Sequence, residues 1–260
     1  MTEDFYRTIK ALLMSTKPGE LRQGLELVKS QIAQISPDEA KPLFEMVSAI
    51  FYIDPLDHPE LVPILDEAAT LVAGFGKWVI PVLVGNLDAG DLKVQVAIAH
   101  ALGRIGVNAI MPLMTVYQTS DDPARRTFVL YALGKIKSPE IVQASRLALE
   151  AAQSPDRELR DTATRVIGKF AESIPPSHLS EDLRQEFVAK LQTNLADPSP
   201  GIRAKAVRSL GKLARYGHLM ALEREKLKTL CHLLLGIDGN FDWDRAYIVR
   251  KEAEEALKYI

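Results

Sequence analysis

The sequence predicts an all-α fold, an α-solenoid of stacked antiparallel helical hairpins, and three observations predict it. Apolar residues recur at intervals of three and four along most of the chain, and no alternating run is long enough to propose a sheet. One helical phrase occurs five times without a gap: VQVAIAHALGRI from Val94, RRTFVLYALGKI from Arg125, LRDTATRVIGKF from Leu159, IRAKAVRSLGKL from Ile202 and VRKEAEEALKYI from Val249. Turns rich in Asp, Pro, Ser and Gly precede the phrases at Asp88–Asp91, Ser120–Pro123, Ser154–Asp156 and Asp197–Gly201, where they stop one helix and cap the next. Such repetition marks a unit that cannot bury its own apolar face and needs neighbours to do so.

Before each phrase lies a first helix, expected at Trp78–Asn86, Ile110–Gln118, Ile141–Gln153, Leu183–Leu195 and Leu222–Leu235, so that residues 77–260 read as five hairpins. Upstream, the pattern predicts helices over Asp4–Leu13, Glu20–Gln34, Glu39–Phe51 and Pro59–Phe75. Leu65, Ala69, Val72 and Ala73 keep the apolar columns of the phrase, but Asp66 stands where the later units carry Arg. End units of a solenoid meet water on one face and are expected to be atypical, so residues 1–76 read as hairpins capping one continuous array. Glu252, Glu254 and Glu255 in the last helix are expected for the same reason. Aligned positions 102, 133, 167, 210 and 257 are 31, 34, 43 and 47 residues apart, and the added length sits in Ser173–Ser180 and Gly236–Asp244. Insertions of this kind emerge as edge loops, where binding residues are added without disturbing the stack.

Composition excludes several classes. With 47% apolar and 25% charged residues in 260, the chain has the side chains for a continuous core. The apolar run Trp78–Val84 is far shorter than the ~18 residues of a membrane span, and the first residues carry Glu3, Asp4, Arg7 and Lys10, unlike a signal peptide. A single cysteine, Cys231, rules out an internal disulfide, and no asparagine begins a glycosylation sequon. A cytoplasmic location without membrane contact is expected. The net charge of −2 hides a gradient: Lys/Arg against Asp/Glu is 8 to 14 over residues 1–100, 12 to 12 over 101–200 and 12 to 8 over 201–260. This asymmetry fits a charged partner surface and also arises by chance.

The columns apolar, Arg, then a small residue, then Leu-Gly and a final apolar position resemble the HEAT repeat, in particular the short bacterial type found in phycobilisome lyases. The resemblance spans residues 77–260. It implies a right-handed superhelix whose second helices line the concave side, and it specifies fold far more than activity. Gly103, Gly134, Gly168 and Gly211 occupy a column near helix ends, where a small residue permits close approach of the next helix or a break. Arg126, Arg160, Arg203 and Arg250 share another column; Asp122 and Asp156 lie four residues before the first two, and Asp91 holds the equivalent place with Gln95 as its partner. Aspartate at a helix start satisfies free N–H groups, and an arginine one turn on pairs with it or with a neighbouring repeat's aspartate. The resemblance implies that this ladder is structural.

A further column is basic. Arg104, Lys135, Lys169 and Lys212 follow His100, Tyr131, Arg165 and Arg208 by four residues, so the two sets share a helical face. At roughly 100° per residue that face lies beside the apolar stripe and stays partly exposed. On the concave side it would form a basic stripe suited to an acidic helix or a phosphate backbone. Lys and Arg at helix C-termini also simply complement the dipole.

No catalytic constellation accompanies these columns. The HEAT-like alkylpurine DNA glycosylases use aromatics and a carboxylate beside a flipped base, whereas the two tryptophans, Trp78 and Trp243, are far apart in the array. The run Asp238, Asn240, Asp242, Asp244 alternates oxygen ligands but lacks the glycine and glutamate of a calcium loop, so Asp242 or Asp244 is expected to cap the last helix. Cys231 and His232, with His218 thirteen residues earlier, lack the spacing of a zinc site. No phosphate-cradling glycine loop, Gly-X-Ser-X-Gly elbow or His-Glu dipeptide occurs. The expected function is therefore a non-enzymatic scaffold that holds another protein, with no cofactor and no metal; the alternatives are nucleic-acid binding through the basic stripe and a bilin lyase or chaperone-like subunit.

Overall fold

Helix starts are where the local sequence logic is clearest in the computed structural model, which describes residues 3–88, 90–237 and 243–260. Asp91 accepts from the Lys93 N–H at 2.8 Å, Asp122 from Ala124 and Arg125 at 3.0 and 3.3 Å, and Asp156 from Leu159 at 2.8 Å. Each satisfies donors that the first helical turn leaves free. Ser36 and Glu39 form a reciprocal capping box with Pro37 directly after the cap. Gly106, at φ 73°, takes a left-handed conformation that ends one helix and lets the next begin a residue later.

Among the described residues there are fourteen α-helices and no strand. The first four are α1 (Glu3–Leu13), α2 (Pro18–Ile32), α3 (Pro37–Ser48) and α4 (Val62–Gly74), with 3-10 turns at Ala49–Tyr52 and Pro59–Leu61. In chain order the next helices are α5 (Val79–Gly85) and α6 (Leu92–Ile105), followed by α7 (Val107–Thr119) and α8 (Pro123–Leu133). Then come α9 (Ser145–Ala151) and α10 (Arg157–Ser173), α11 (Glu181–Asn194) and α12 (Pro200–Arg215), and α13 (Ala221–Leu235) and α14 (Tyr247–Leu257). Three expected elements are 3-10 over several residues; those over Glu39–Phe51 and Pro59–Phe75 take in residues of the 3-10 turns Ala49–Tyr52 and Pro59–Leu61. The helix predicted over Ile141–Gln153 starts as a 3-10 segment, Pro139–Ala144, and becomes α-helical only at Ser145.

The chain forms two compact units, residues 1–116 and 117–260. In the first, α2, α4 and α6 pack side by side in sequence, with α1 against α2 and α3, α3 against α4, and α5 against α6. Its core holds Ile9, Leu43, Phe51, Ile64 and Leu102, each at most 2% exposed. In the second unit α8, α10, α12 and α14 form the continuous row, and α9, α11 and α13 pack as the first helices of their hairpins. Stacking in this manner buries the apolar stripe of each second helix between its neighbours, which is what stabilises a repeat architecture.

The glycine column explains how closely the row packs. A Cβ at Gly168 would lie 2.4 Å from Ser209 Oγ and 2.9 Å from Ser209 Cα, and one at Gly211 would lie 3.0 Å from Ala256 Cβ. At Gly134 the obstacle is a Val166 methyl at 3.0 Å. Gly168 and Gly211 stand inside unbroken helices, so of the two expected roles it is close approach that they serve.

Candidate functional site

The arginine column works across repeats. Arg160 donates from Nε to Asp197 at 2.6 Å and from Nη1 to the Ser154 carbonyl at 2.7 Å; Arg203 pairs bidentately with Asp244 at 2.8 and 3.0 Å and donates to the Asp197 carbonyl at 2.9 Å. The aspartates that count are Asp197 and Asp244, which stand six residues before the arginine of their own repeat. The expected residues Asp122 and Asp156 cap helices instead. Burial raises Asp197, but hydrogen bonds from Arg160 and the Ser199 N–H outweigh it and hold the carboxyl below its usual range.

The other members of the column lack a carboxylate partner among the described residues. Arg126 lies over the Tyr117 ring at 5.2 Å and donates to its carbonyl at 3.2 Å, while Arg250 lies over Trp243 at 4.6 Å and donates to the Asp244 carbonyl at 2.8 Å. The expected pairing of Asp91 with Gln95 is corrected. Gln95 is buried and donates from Nε2 to the Leu87 carbonyl at 2.9 Å, because the preceding 3-10 turn offers an unsatisfied acceptor inside the core. The last helix is likewise not capped by Asp244, whose Oδ1 accepts from the Ala246 N–H at 2.9 Å and so shapes the turn before the cap residue. Asp238, Asn240 and Asp242 lie outside the described residues.

Within the second unit the basic column divides into two environments. Lys135 and Arg165 both lie over the ring of Tyr131, at 4.7 and 5.7 Å, and neither has a carboxylate partner among the described residues. About two turns along α10 from Arg165, Glu172 gathers three ammonium groups: Lys212 at 2.5 Å, Lys137 at 3.0 Å and Lys169 at 3.1 Å. Burial opposes ionisation of Glu172, but hydrogen bonds from Lys212, Lys137 and Lys169 overcome it and hold the carboxyl at about 2. Lys212 itself sits below its ordinary value because burial outweighs its bond to Glu172. Arg208, the remaining member, is paired bidentately to the buried Glu252 of α14, its Nε at 2.8 Å. Lys135, Arg165, Lys137, Lys169 and Lys212 thus make five cations to one carboxylate, and the face keeps a surplus of positive charge. In the first unit, Arg104 is ion-paired to Asp66 and donates to the His100 carbonyl at 3.3 Å.

Two buried polar arrangements had no counterpart in the sequence reading. Asn194 Nδ2 donates to Thr164 Oγ1 at 2.7 Å, and Ser209 Oγ donates to the Thr164 carbonyl at 2.9 Å, so α11, α10 and α12 are joined through the core. Arg184, 7% exposed, chelates Glu181 at 2.7 and 2.8 Å and reaches Glu223 at 2.5 Å and the His218 carbonyl at 3.1 Å. Glu181, first among its partners, raises the guanidinium above its normal value. Short polar residues inside helices and one arginine off the repeating column carry no periodic signal, so nothing marked them. Cys231 is fully buried, and burial pushes its thiol up to about 12, where it is not a nucleophile.

No helix among the described residues is long and apolar enough to cross a membrane. No curated protein matches the chain. Among solved structures, an engineered protein aligns at 19% identity and TM-score 0.53 over 99% of this chain and 96% of its own, and a second engineered protein at 17% and 0.51 over 99% and 98%. The complex of CpcE and CpcF of phycocyanin lyase from Nostoc sp. PCC7120 aligns at 19% identity and TM-score 0.55 over 69% of this chain and 98% of that one. At such identities these likenesses speak for the fold. Residues 80–167 match the family of HEAT repeats, so the resemblance carried by the arginine and glycine columns holds at the family level over that stretch, within an all-α stack of helical hairpins.

Proposed function

We propose that the protein is a non-enzymatic interaction scaffold whose second unit holds an acidic segment of another protein. The observation that carries this reading is the cluster at Tyr131, where Lys135 and Arg165 share one ring without a carboxylate, beside a hub with three lysines to one glutamate. Cations stacked on an aromatic ring are held in place yet remain unneutralised, which suits them to an incoming carboxylate. Arg208 and Lys212 belong to the stripe only as structural members, since each is engaged by a glutamate of the stack. The likeness to the phycocyanin lyase complex supports a helical stack that assembles with another chain.

The test is a pull-down from native lysate with the double variant Lys135→Glu/Arg165→Glu, which spares the residues paired to Glu172 and Glu252. A partner retained by the wild type after nuclease treatment, and lost with the variant at unchanged helical circular dichroism, is the expected result. Retention of the same partner by the variant removes the cluster from the account. Recovery of only nuclease-sensitive material, with affinity falling steeply with salt, would replace the acidic protein by a phosphate backbone.

A further inference from the structure

A cleft of about 750 Å³ opens in the first unit between α3 and α5. It lies between a longer and a shorter element: α3 and its 3-10 extension run from Pro37 to Tyr52, whereas α5 with the 3-10 turn that follows it runs from Val79 to Asp88. Leu83, Val94 and Ile98 line its base, all 5% exposed or less. Phe44, Phe75 and Trp78 meet in mutual edge-to-face contacts with centroids 5.4 to 6.1 Å apart, and Phe44 and Trp78 line the cleft. Packing of this kind fixes the indole in place before any ligand arrives. Tyr52, 63% exposed, and Val82, 41% exposed, also line the cleft from positions that water reaches.

The charged groups of the lining are Asp38, Lys41 and Glu45. Lys41 is engaged by Asp38 at 3.3 Å, and Glu45 has no ion-pair partner among the described residues, so the lining carries one uncompensated negative charge. Ser48 in the wall adds an Oγ that is shut off from water and lacks a hydrogen-bond partner. A volume within the roughly 300–1,000 Å³ of small-molecule sites, rigid aromatic walls and a lone carboxylate describe one chemistry.

We propose that this cleft binds a planar aromatic organic cation, its ring system stacked within the aromatic walls and its charged nitrogen toward Glu45. The site is separate from the Tyr131 cluster and stands or falls independently of it. In a Trp243→Phe background Trp78 is the sole tryptophan, so its fluorescence reports the cleft directly. Titration with proflavine, a flat cationic dye, should give saturable quenching at one site per chain, and the anionic anilinonaphthalene sulfonate should bind more weakly. Val82→Phe, which fills the cleft from a partly exposed position, should weaken proflavine binding about tenfold at unchanged helical circular dichroism. Glu45→Gln should weaken it about threefold. Absence of saturable quenching, or equal affinity for Val82→Phe, overturns the site. Equal affinity for Glu45→Gln together with equal binding of the anionic dye overturns the assignment of a cation.

Discussion

The two units hold neighbouring second helices together by different means. In residues 117–260 the contacts between α10, α12 and α14 combine glycine-permitted close approach with ion pairs set into the stack: Arg160 with Asp197, Arg203 with Asp244, Lys205 with Asp161, and Arg208 with Glu252. In residues 1–116 the ion pairs between second helices are wetter. Arg22 and Glu67 are 51% and 39% exposed, and a groove between α4 and α6 is left with apolar residues such as Val62 and Leu92 open to water. Between α10, α12 and α14 the neighbour supplies carboxylates for Arg160, Arg203, Lys205 and Arg208, whereas Lys135 and Arg165 stay on the Tyr131 ring; in the first unit apolar clefts remain beside α6. Most members of the regular columns therefore serve the stack, and those that the neighbour leaves without a carboxylate are the ones open to a partner.

That contrast has measurable consequences. The largest effect is expected for Arg160→Ala, which strands the Asp197 carboxylate at 6% side-chain exposure and should cost about 3 kcal/mol in chemical denaturation. Adding Asp197→Asn should recover much of the loss, and failure to do so would mean that Arg160 acts through the Ser154 carbonyl instead. Next is Gly168→Ala, where the new methyl collides with the Ser209 backbone; a loss of about 2 kcal/mol is expected, and thermal melting of Gly134→Ala should show a smaller one because a Val166 methyl can yield.

Acid should act on the second unit as well. Glu172 is held at about 2 against 4.5 for a free glutamate, so its stabilisation is complete above 4.5 and is lost as pH falls toward 2. His218 is lowered from 6.5 by burial, so the unfolded chain takes up its proton first and stability declines as pH drops below 6.5. Denaturation midpoints should therefore fall in two steps on acidification, and His218→Gln should remove the upper one. The smallest effect belongs to the first unit: Arg22→Ala should leave the chemical-denaturation midpoint close to that of the wild type, since its pair is largely solvated. A loss comparable to that of Arg160→Ala would erase the distinction between the units.

Much of this was legible in the residues, and the reason is periodicity. The glycine and arginine columns repeat at one place in each unit, so a single chain aligned on itself displays them. The partners of those columns are less legible. Asp197 and Asp244 lie two residues away from the position where Asp122 and Asp156 led one to look, and only the crossing of the helices selects them. The Asn194–Thr164–Ser209 chain joins residues 30 and 45 positions apart that are each unremarkable in sequence. The basic column was visible as a column, but its division into an unneutralised cluster at Tyr131 and a glutamate-bound remainder was not.

By itself the sequence determined the helical elements, their hairpin order and the residues that permit close stacking, because caps, apolar spacing and glycine act through the local backbone. Tertiary structure decided which charges are satisfied, which face of the second unit keeps a positive surplus and where α3 and α5 part to leave a cleft. Those outcomes depend on distances between side chains far apart in the chain, and Coulomb and packing energies at a few ångströms are set by helix placement that no local pattern encodes.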